Sequence, residues 1–263
     1  MATGKRWTRG ELLIALNLYH KLTFGQLHAR HPAIVDVAAK LGRNANSLAM
    51  KLCNFASLDP VVILRGKRGL PGASRLDRDV WQEFHGHIDD VAPESEEAFR
   101  KLFAEDEAAA VEVLPDEGVR VRPPPSGPTS VTATVKVRRG QDYFREIVLN
   151  NFGGRCGVCE LNIRELLVAS HIAPWAQHDT RRLDIANGLS LSRLHDAAFD
   201  RGLISFDDDF RLLVGKSLTQ ALPAKFVAAS FLAFAGEKLK IPSDSILPDQ
   251  ALLAEHRKRF RFR

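Results

Sequence analysis

His171, Asn187 and His195 form the pattern in this chain with the most chemistry in it. They stand in Ala169-Ser170-His171-Ile172-Ala173-Pro174-Trp175, in Asn187-Gly188-Leu189-Ser190-Leu191, and in His195-Asp196-Ala197-Ala198-Phe199-Asp200. The first block reads as a short strand over Leu166 to Ile172, stopped by Pro174. The Asn187-Gly188 pair is a turn that tolerates positive φ, and the third block opens a short helix. Strand, turn and helix together deliver two imidazoles and a carboxylate, which suit one divalent cation and one general base. Those are the requirements of phosphodiester hydrolysis: a water made nucleophilic by a group titrating near neutrality, and a Lewis acid on the phosphoryl oxygens. His195, on the helix, is the stronger ligand candidate. Asn187 reads as a brace whose amide hydrogen-bonds across the turn and holds the His171 strand in register.

The segment from about Phe144 to Phe206 resembles the HNH nucleases with the ββα-metal fold. The resemblance is to a bacterial restriction-type subgroup with the pattern A-S-H-I-x-P-W, then N-G-L-x-L, then H-D-x-A-F-D-x-G-L-I. All three blocks are present in order, as Ala169–Trp175, Asn187–Leu191 and His195–Ile204. By that resemblance His171 is the general base, Asn187 the structural asparagine and His195 a metal ligand, with the two imidazoles converging on one catalytic centre. Many relatives place an acidic or histidine ligand before the base, where this chain has Ser170. The remaining ligand is then expected from Asp200, although five residues after His195 lies about 140° round a helix. Asp196 is the weaker candidate, with a capping or exposed role as its alternative. Relatives also pair a C-x-x-C such as Cys156-Gly157-Val158-Cys159 with a second one before the last histidine. Here Leu191 and Leu194 fill those places, so no structural zinc is expected and the cysteines read as small buried thiols.

The elements that must carry this site fall into two parts. Thr8 is an N-cap for a helix to about Lys21, with Glu11 at the capping-box position and Leu12, Leu13, Leu16 and Tyr19 as its apolar stripe. Helices follow over Ala33–Leu41 and Ser47–Phe55, separated by Gly42, in the outline of a helix-turn-helix. Arg43, Asn46 and Lys51 are its candidate DNA contacts; three small basic helices are equally a general interaction module. Helical patterns continue over Leu76–Ile88 and Glu94–Ala110. A proline-rich stretch around Pro123-Pro124-Pro125 reads as a linker. Beyond it come an amphipathic helix, Arg139–Phe152, the histidine motif, a hairpin about Asp207-Asp208-Asp209 and a helix from Pro223 to Phe234. Trp175 and Phe199 are expected to close the small core.

Charge follows the same division. Residues 1–70 hold eleven Lys/Arg against three Asp/Glu, residues 71–118 hold four against fourteen, and residues 119–140 add five basic residues and no acidic ones. The chain ends His256-Arg257-Lys258-Arg259-Phe260-Arg261-Phe262-Arg263. Basic ends around an acidic middle suit a polyanion partner, with Arg181, Arg182, Arg257 and Arg259 as candidate phosphate contacts. Three cysteines fit a reducing compartment better than a disulfide scaffold. No eighteen-residue apolar run exists, and Met1 to Arg6 is polar, so a cytoplasmic protein with neither a membrane span nor a leader is expected.

The expected fold class is α+β: a helical, helix-turn-helix-like domain over 1–113, a linker over 114–137, and an HNH nuclease domain over 138–263. The expected function is a metal-dependent DNA endonuclease of restriction or phage-defence type, using one divalent ion, Mg2+ first and Mn2+, Ni2+ or Zn2+ as alternatives. DNA is the expected partner, with a possible second copy as homodimer. The competing readings are a non-catalytic DNA-binding regulator on the same scaffold, favoured by Ser170 and Phe199 at positions where a ligand would help, and an RNA-cleaving toxin. No H-E-x-x-H is present, which disfavours a zinc peptidase.

Overall fold

A computed structural model describes residues 6–106, 109–122, 135–174 and 181–262. Two compact units part between Asn150 and Asn151. In the first, α1 (Arg9–Lys21) begins at Thr8, which forms a capping box with Glu11. Leu12, Leu13, Leu16 and Tyr19 are buried, but so are Ile14, Ala15 and Leu18, so this helix is enclosed on all sides rather than one. α2 (Pro32–Lys40) leads through Gly42, at φ +63°, to α3 (Ala45–Ala56), which Asn44 caps. α4 (Pro60–Leu64), α5 (Arg75–Gly86) and α6 (Ile88–Phe103) follow; α3, α5 and α6 pack on α1. Enclosure takes Lys21 inside too, with its Nζ 2.7 Å from the Glu96 carboxylate.

The first unit is not all-helical. The helix expected over 94–110 instead starts at Ile88, carries Pro93 within it, and stops at Phe103. β1 (Ala110–Leu114) and β2 (Gly118–Arg122) then form an antiparallel hairpin, with Val113 opposite Val119. Alternating valines favour a strand where the acidic composition had suggested helix. Asp36 of α2 accepts the Val119 N–H at 2.9 Å and ties the hairpin down. Residues 114–122 are therefore ordered structure and not linker; the proline-rich core at 123–134 lies outside the described residues.

α7 (Val135–Asn151) belongs to this unit along nearly all its length, which moves the division some way beyond 137. Its Tyr143 ring meets Phe84, Glu146 accepts the Val113 N–H at 2.8 Å, and the Asn150 amide donates to the carbonyls of Lys21 and Val113. An amphipathic pattern tells that a helix has a core to face, but not which core.

The second unit pairs β3 (Leu167–His171) with β4 (Gly188–Ser192), antiparallel, with His171 opposite Gly188. α8 (Arg193–Asp200) follows without a break because Ser192 ends the strand and caps the helix, accepting the His195 N–H. β5 (Ile204–Phe206) and β6 (Leu212–Val214) form the hairpin around Asp207-Asp208-Asp209. α9 (Lys216–Gln220), α10 (Lys225–Ser230) and α11 (Gln250–Arg259) complete the unit. The helix expected over 223–234 is shortened to α10, and a 3-10 turn covers 232–234. Leu189, Leu191, Phe199, Phe206, Leu252 and Leu253 form the core beneath β4, α8 and α11. No helix among the described residues is long and apolar enough to cross a membrane.

Candidate active site and metal centres

β3, α8 and α11 line a cavity of about 450 Å³ whose lining includes Ser170, His171, Asp196, Asp200, His256 and Arg259. The His171 Nε2 lies 2.8 Å from the Arg182 carbonyl oxygen. A carbonyl only accepts, so Nε2 carries the proton and Nδ1 is the basic nitrogen. Burial lowers the His171 pKa from its ordinary value, against a smaller opposing pull from that carbonyl. The ring is thus neutral at pH 7, the state a general base requires.

Asn187 is 1% exposed. Its Oδ1 accepts the Ala173 N–H at 2.8 Å, its Nδ2 donates to the Arg181 carbonyl at 3.0 Å, and its own carbonyl accepts the Ile172 N–H at 2.9 Å. One amide therefore holds the exit of β3 and the far side of the following loop. Trp175, expected to close the small core, lies outside the described residues.

His195 does not share this cavity. Its ring is buried and turned to the other side of α8, with Nδ1 2.9 Å from Ser192 Oγ and Nε2 2.9 Å from the Ser230 carbonyl oxygen. Phe231 and Phe234 meet it edge-on. The two imidazoles expected on one cation are placed differently: His171 lines the cavity, and His195 does not. The physical reason is the buried face of α8, which takes His195, Ala198 and Phe199 inward. Asp196 and Asp200, one turn apart on another face, are left to line the cavity. Asp200 had been measured from His195, the wrong origin; from Asp196 the spacing is four, and the two carboxylates share a face. That i, i+4 spacing was the signal for Asp196. Among the described residues neither carboxylate has a hydrogen bond or ion pair. Burial and the nearby Asp196 carboxylate together raise the Asp200 pKa from its ordinary value, burial contributing more. Ser170 Oγ, buried and without a hydrogen-bond partner, lines the same cavity.

His195 instead joins Cys156 and Cys159, the three ligand atoms lying within 4.8 Å of one another. The Ser230 carbonyl engages Nε2, so Nδ1 faces the sulfurs, 3.7 Å from Cys156 Sγ. The Cys159 thiol and His195 both hydrogen-bond Cys156 and pull its pKa well below the ordinary thiol range, the Cys159 contribution being the larger. Gly157 N–H donates to the Ser190 carbonyl at 2.8 Å and fixes this loop on β4. Leu191 and Leu194 stand where relatives carry cysteines, but here the polar partners of Cys156 and Cys159 come from His195 and Ser192. Two sulfurs, one imidazole and a neighbouring hydroxyl fit a soft, tetrahedral cation. The carboxylates and the hydroxyl of the cavity are oxygen donors and suit a hard one.

Residues 156–207 match the HNH endonuclease family. No curated protein matches the chain. The HNH match spans β3, β4, α8 and β5, together with the Cys156-Cys159 loop, and supports nuclease activity that depends on a metal. α11, which brings His256 and Arg259 to the cavity, lies outside it.

Several expected nucleic-acid contacts are committed elsewhere. Arg43 pairs with Glu11 at 2.8 Å and stacks over Trp7, and Lys51 is buried against Asp77 at 2.8 Å. Arg181 bridges Asp184 and Asp249, both at 2.7 Å. Arg257 binds the Phe206 carbonyl and Asp208. Arg182 contributes its carbonyl to His171. Asn46 stays exposed on α3, and Arg259 is exposed at the cavity.

Proposed function

We propose that the second unit is a DNA endonuclease of restriction or phage-defence type, with His171 as its general base and Asp196 and Asp200 as the carboxylates that hold a divalent cation. The observation that carries this reading is the cavity itself, where a neutral, oriented imidazole meets two unpaired carboxylates. Asp196, Asp200 and the orphan Ser170 hydroxyl are oxygen donors of the kind Mg2+ or Mn2+ takes. When bound, such an ion supplies Lewis-acid stabilisation of the phosphoryl oxygens and of the departing oxygen. His171 Nδ1 takes a proton from water, whose oxygen attacks phosphorus as the ester P–O bond opposite breaks. Nε2, held by the Arg182 carbonyl, keeps the ring aimed through that transfer, and Asn187 holds the loop that supplies the carbonyl.

The motif reaches phosphate and carries little base preference of its own. Positioning on DNA then falls to the first unit, which carries exposed Asn46 on α3 and the basic loop Arg65-Gly66-Lys67-Arg68. Cutting both strands takes two visits or two copies, which fits a homodimer.

The test is plasmid cleavage across Mg2+, Mn2+, Ni2+ and Zn2+ with wild type and His171→Ala. Cleavage by the wild type, and a loss of about 100- to 10,000-fold in the variant with DNA binding retained, is the expected result. Wild-type binding without cutting in any metal returns the chain to the regulatory reading.

A further inference from the structure

The charges of the second unit separate into spent and unspent. Arg181 and Arg257 each hold carboxylates. Arg259 has no ion pair among the described residues, although its charge acts on the Asp200 carboxylate, and it is the only arginine or lysine among those that line the cavity beside His171, Asp196 and Asp200. Helical geometry explains the split: residues two apart on α11 project about 200° apart, so Arg257 turns to the β5 hairpin and Arg259 to the cavity.

Arg259 is also anchored. His256, one turn earlier, lies flat on Phe199 of α8 with ring centroids 3.8 Å apart, donates from Nε2 to the Phe199 carbonyl at 3.0 Å, and has Nδ1 2.9 Å from Ser205 Oγ. Phe260 packs 4.8 Å from His256. It fills the space over Gly202, where a Cβ would come within 2.1 Å of its ring. Gly202 also sits at φ +64°, a conformation that favours glycine. The stack of Phe199, His256 and Phe260 fixes the end of α11 on α8, and so fixes where Arg259 starts.

The site needs such a cation. Two carboxylates cancel the charge of one divalent ion, which leaves nothing to attract the phosphodiester or to meet the charge that builds on its non-bridging oxygens. A guanidinium supplies a permanent positive charge and two parallel donors matched to phosphate. We infer that Arg259 clamps the non-bridging oxygens of the scissile phosphate, making α11 a working part of the catalytic site rather than a basic tail that grips the duplex at large. This inference rests on the nuclease reading above.

The experiment compares full-length wild type, Arg259→Ala, Arg259→Lys and Lys258→Ala on one DNA duplex, measuring single-turnover rate and Kd separately. Lys258 is an exposed neighbour that does not line the cavity. Arg259→Ala is expected to slow cleavage by about 100-fold or more, the scale of losing one charge-stabilising donor, with Kd and melting temperature near wild type. Arg259→Lys should recover part of the rate. A single methylphosphonate at the mapped cleavage position removes one charged oxygen, and should slow the wild type far more than Arg259→Ala. An Arg259→Ala protein that cuts at the wild-type rate, or whose loss lies wholly in Kd and is matched by Lys258→Ala, overturns the clamp alone. A wild type inert in every divalent ion overturns the nuclease reading and the clamp with it.

Discussion

His171 and Asn187 donate to consecutive carbonyls of one segment, His171 to Arg182 at 2.8 Å and Asn187 to Arg181 at 3.0 Å. The orientation of the base and the position of Arg181 and Arg182 are therefore a single structural arrangement. Asn187 also accepts the Ala173 N–H just past the end of β3, so it ties the end of that strand to Arg181.

Asn187→Ala leaves the buried Ala173 N–H without its partner, at about 1–3 kcal/mol for an unmet group, and takes from the Arg181 carbonyl the shorter of its two hydrogen bonds. The expected outcome is a melting temperature several degrees lower, together with slower cleavage because the Arg182 carbonyl is no longer held. Calorimetry on the two proteins checks it. An unchanged midpoint would show that the brace is not structural.

Asp196→Asn and Asp200→Asn each remove an anionic oxygen from the cavity. Each should weaken Mn2+ binding, followed by titration calorimetry, by more than the roughly 10- to 100-fold that follows loss of an outer-shell partner. Acidification should do the same in the wild type. The Asp200 carboxyl sits above its ordinary pKa, so it takes up a proton at a higher pH than an exposed aspartate and gives up the cation earlier. Wild-type affinity for Mn2+ in either variant would place the cation elsewhere.

The Cys156, Cys159 and His195 cluster should bind about one Zn2+ per chain, measured by metal analysis after dialysis, and Cys156→Ala should abolish it. Stripping that ion with a strong chelator lowers the melting temperature, since α8 loses its tie to the cysteine loop. Purified protein that carries no metal and melts identically with and without chelator would reduce the cluster to packed thiols.

His256 makes the stability of the second unit acid-sensitive. Burial lowers its pKa to about 4 in the fold, against about 6.5 in the unfolded chain. Between those values the unfolded state binds a proton that the folded state refuses, so stability is full above about pH 6.5 and falls as pH drops towards 4. The total loss is about 3 kcal/mol. Urea melts at pH 7, 5.5 and 4 should follow that slope, and His256→Gln should flatten it. An equal acid slope in the variant would assign the effect to other groups.

Much of the site was written locally in the sequence. The strand before Pro174 and the helix capped by Ser192 are set by their neighbours, because breaker and cap preferences act over a few residues. The hairpin around Asp207 and the capping box at Thr8 follow for the same reason. The Asn187-Gly188 pair is not the expected positive-φ turn, since Asn187 ends a 3-10 turn and Gly188, at φ -121°, already belongs to β4. What the local pattern could not say is which way α8 faces. His195 and Asp196 are adjacent, and only the packing of Phe199 beneath α11 and of Phe231 beside His195 decides that the imidazole goes to the sulfurs and the carboxylates to the cavity. Arg43, Lys51, Arg181 and Arg257 look like free cations in a list of residues, and their carboxylate partners are 3 to 68 positions distant. Arg259 looks no different from them. Long-range pairing is invisible to a local pattern because it depends on how the chain closes on itself. The type of each element was therefore determined by neighbours in sequence, and the identity of the groups that meet a substrate by neighbours in space.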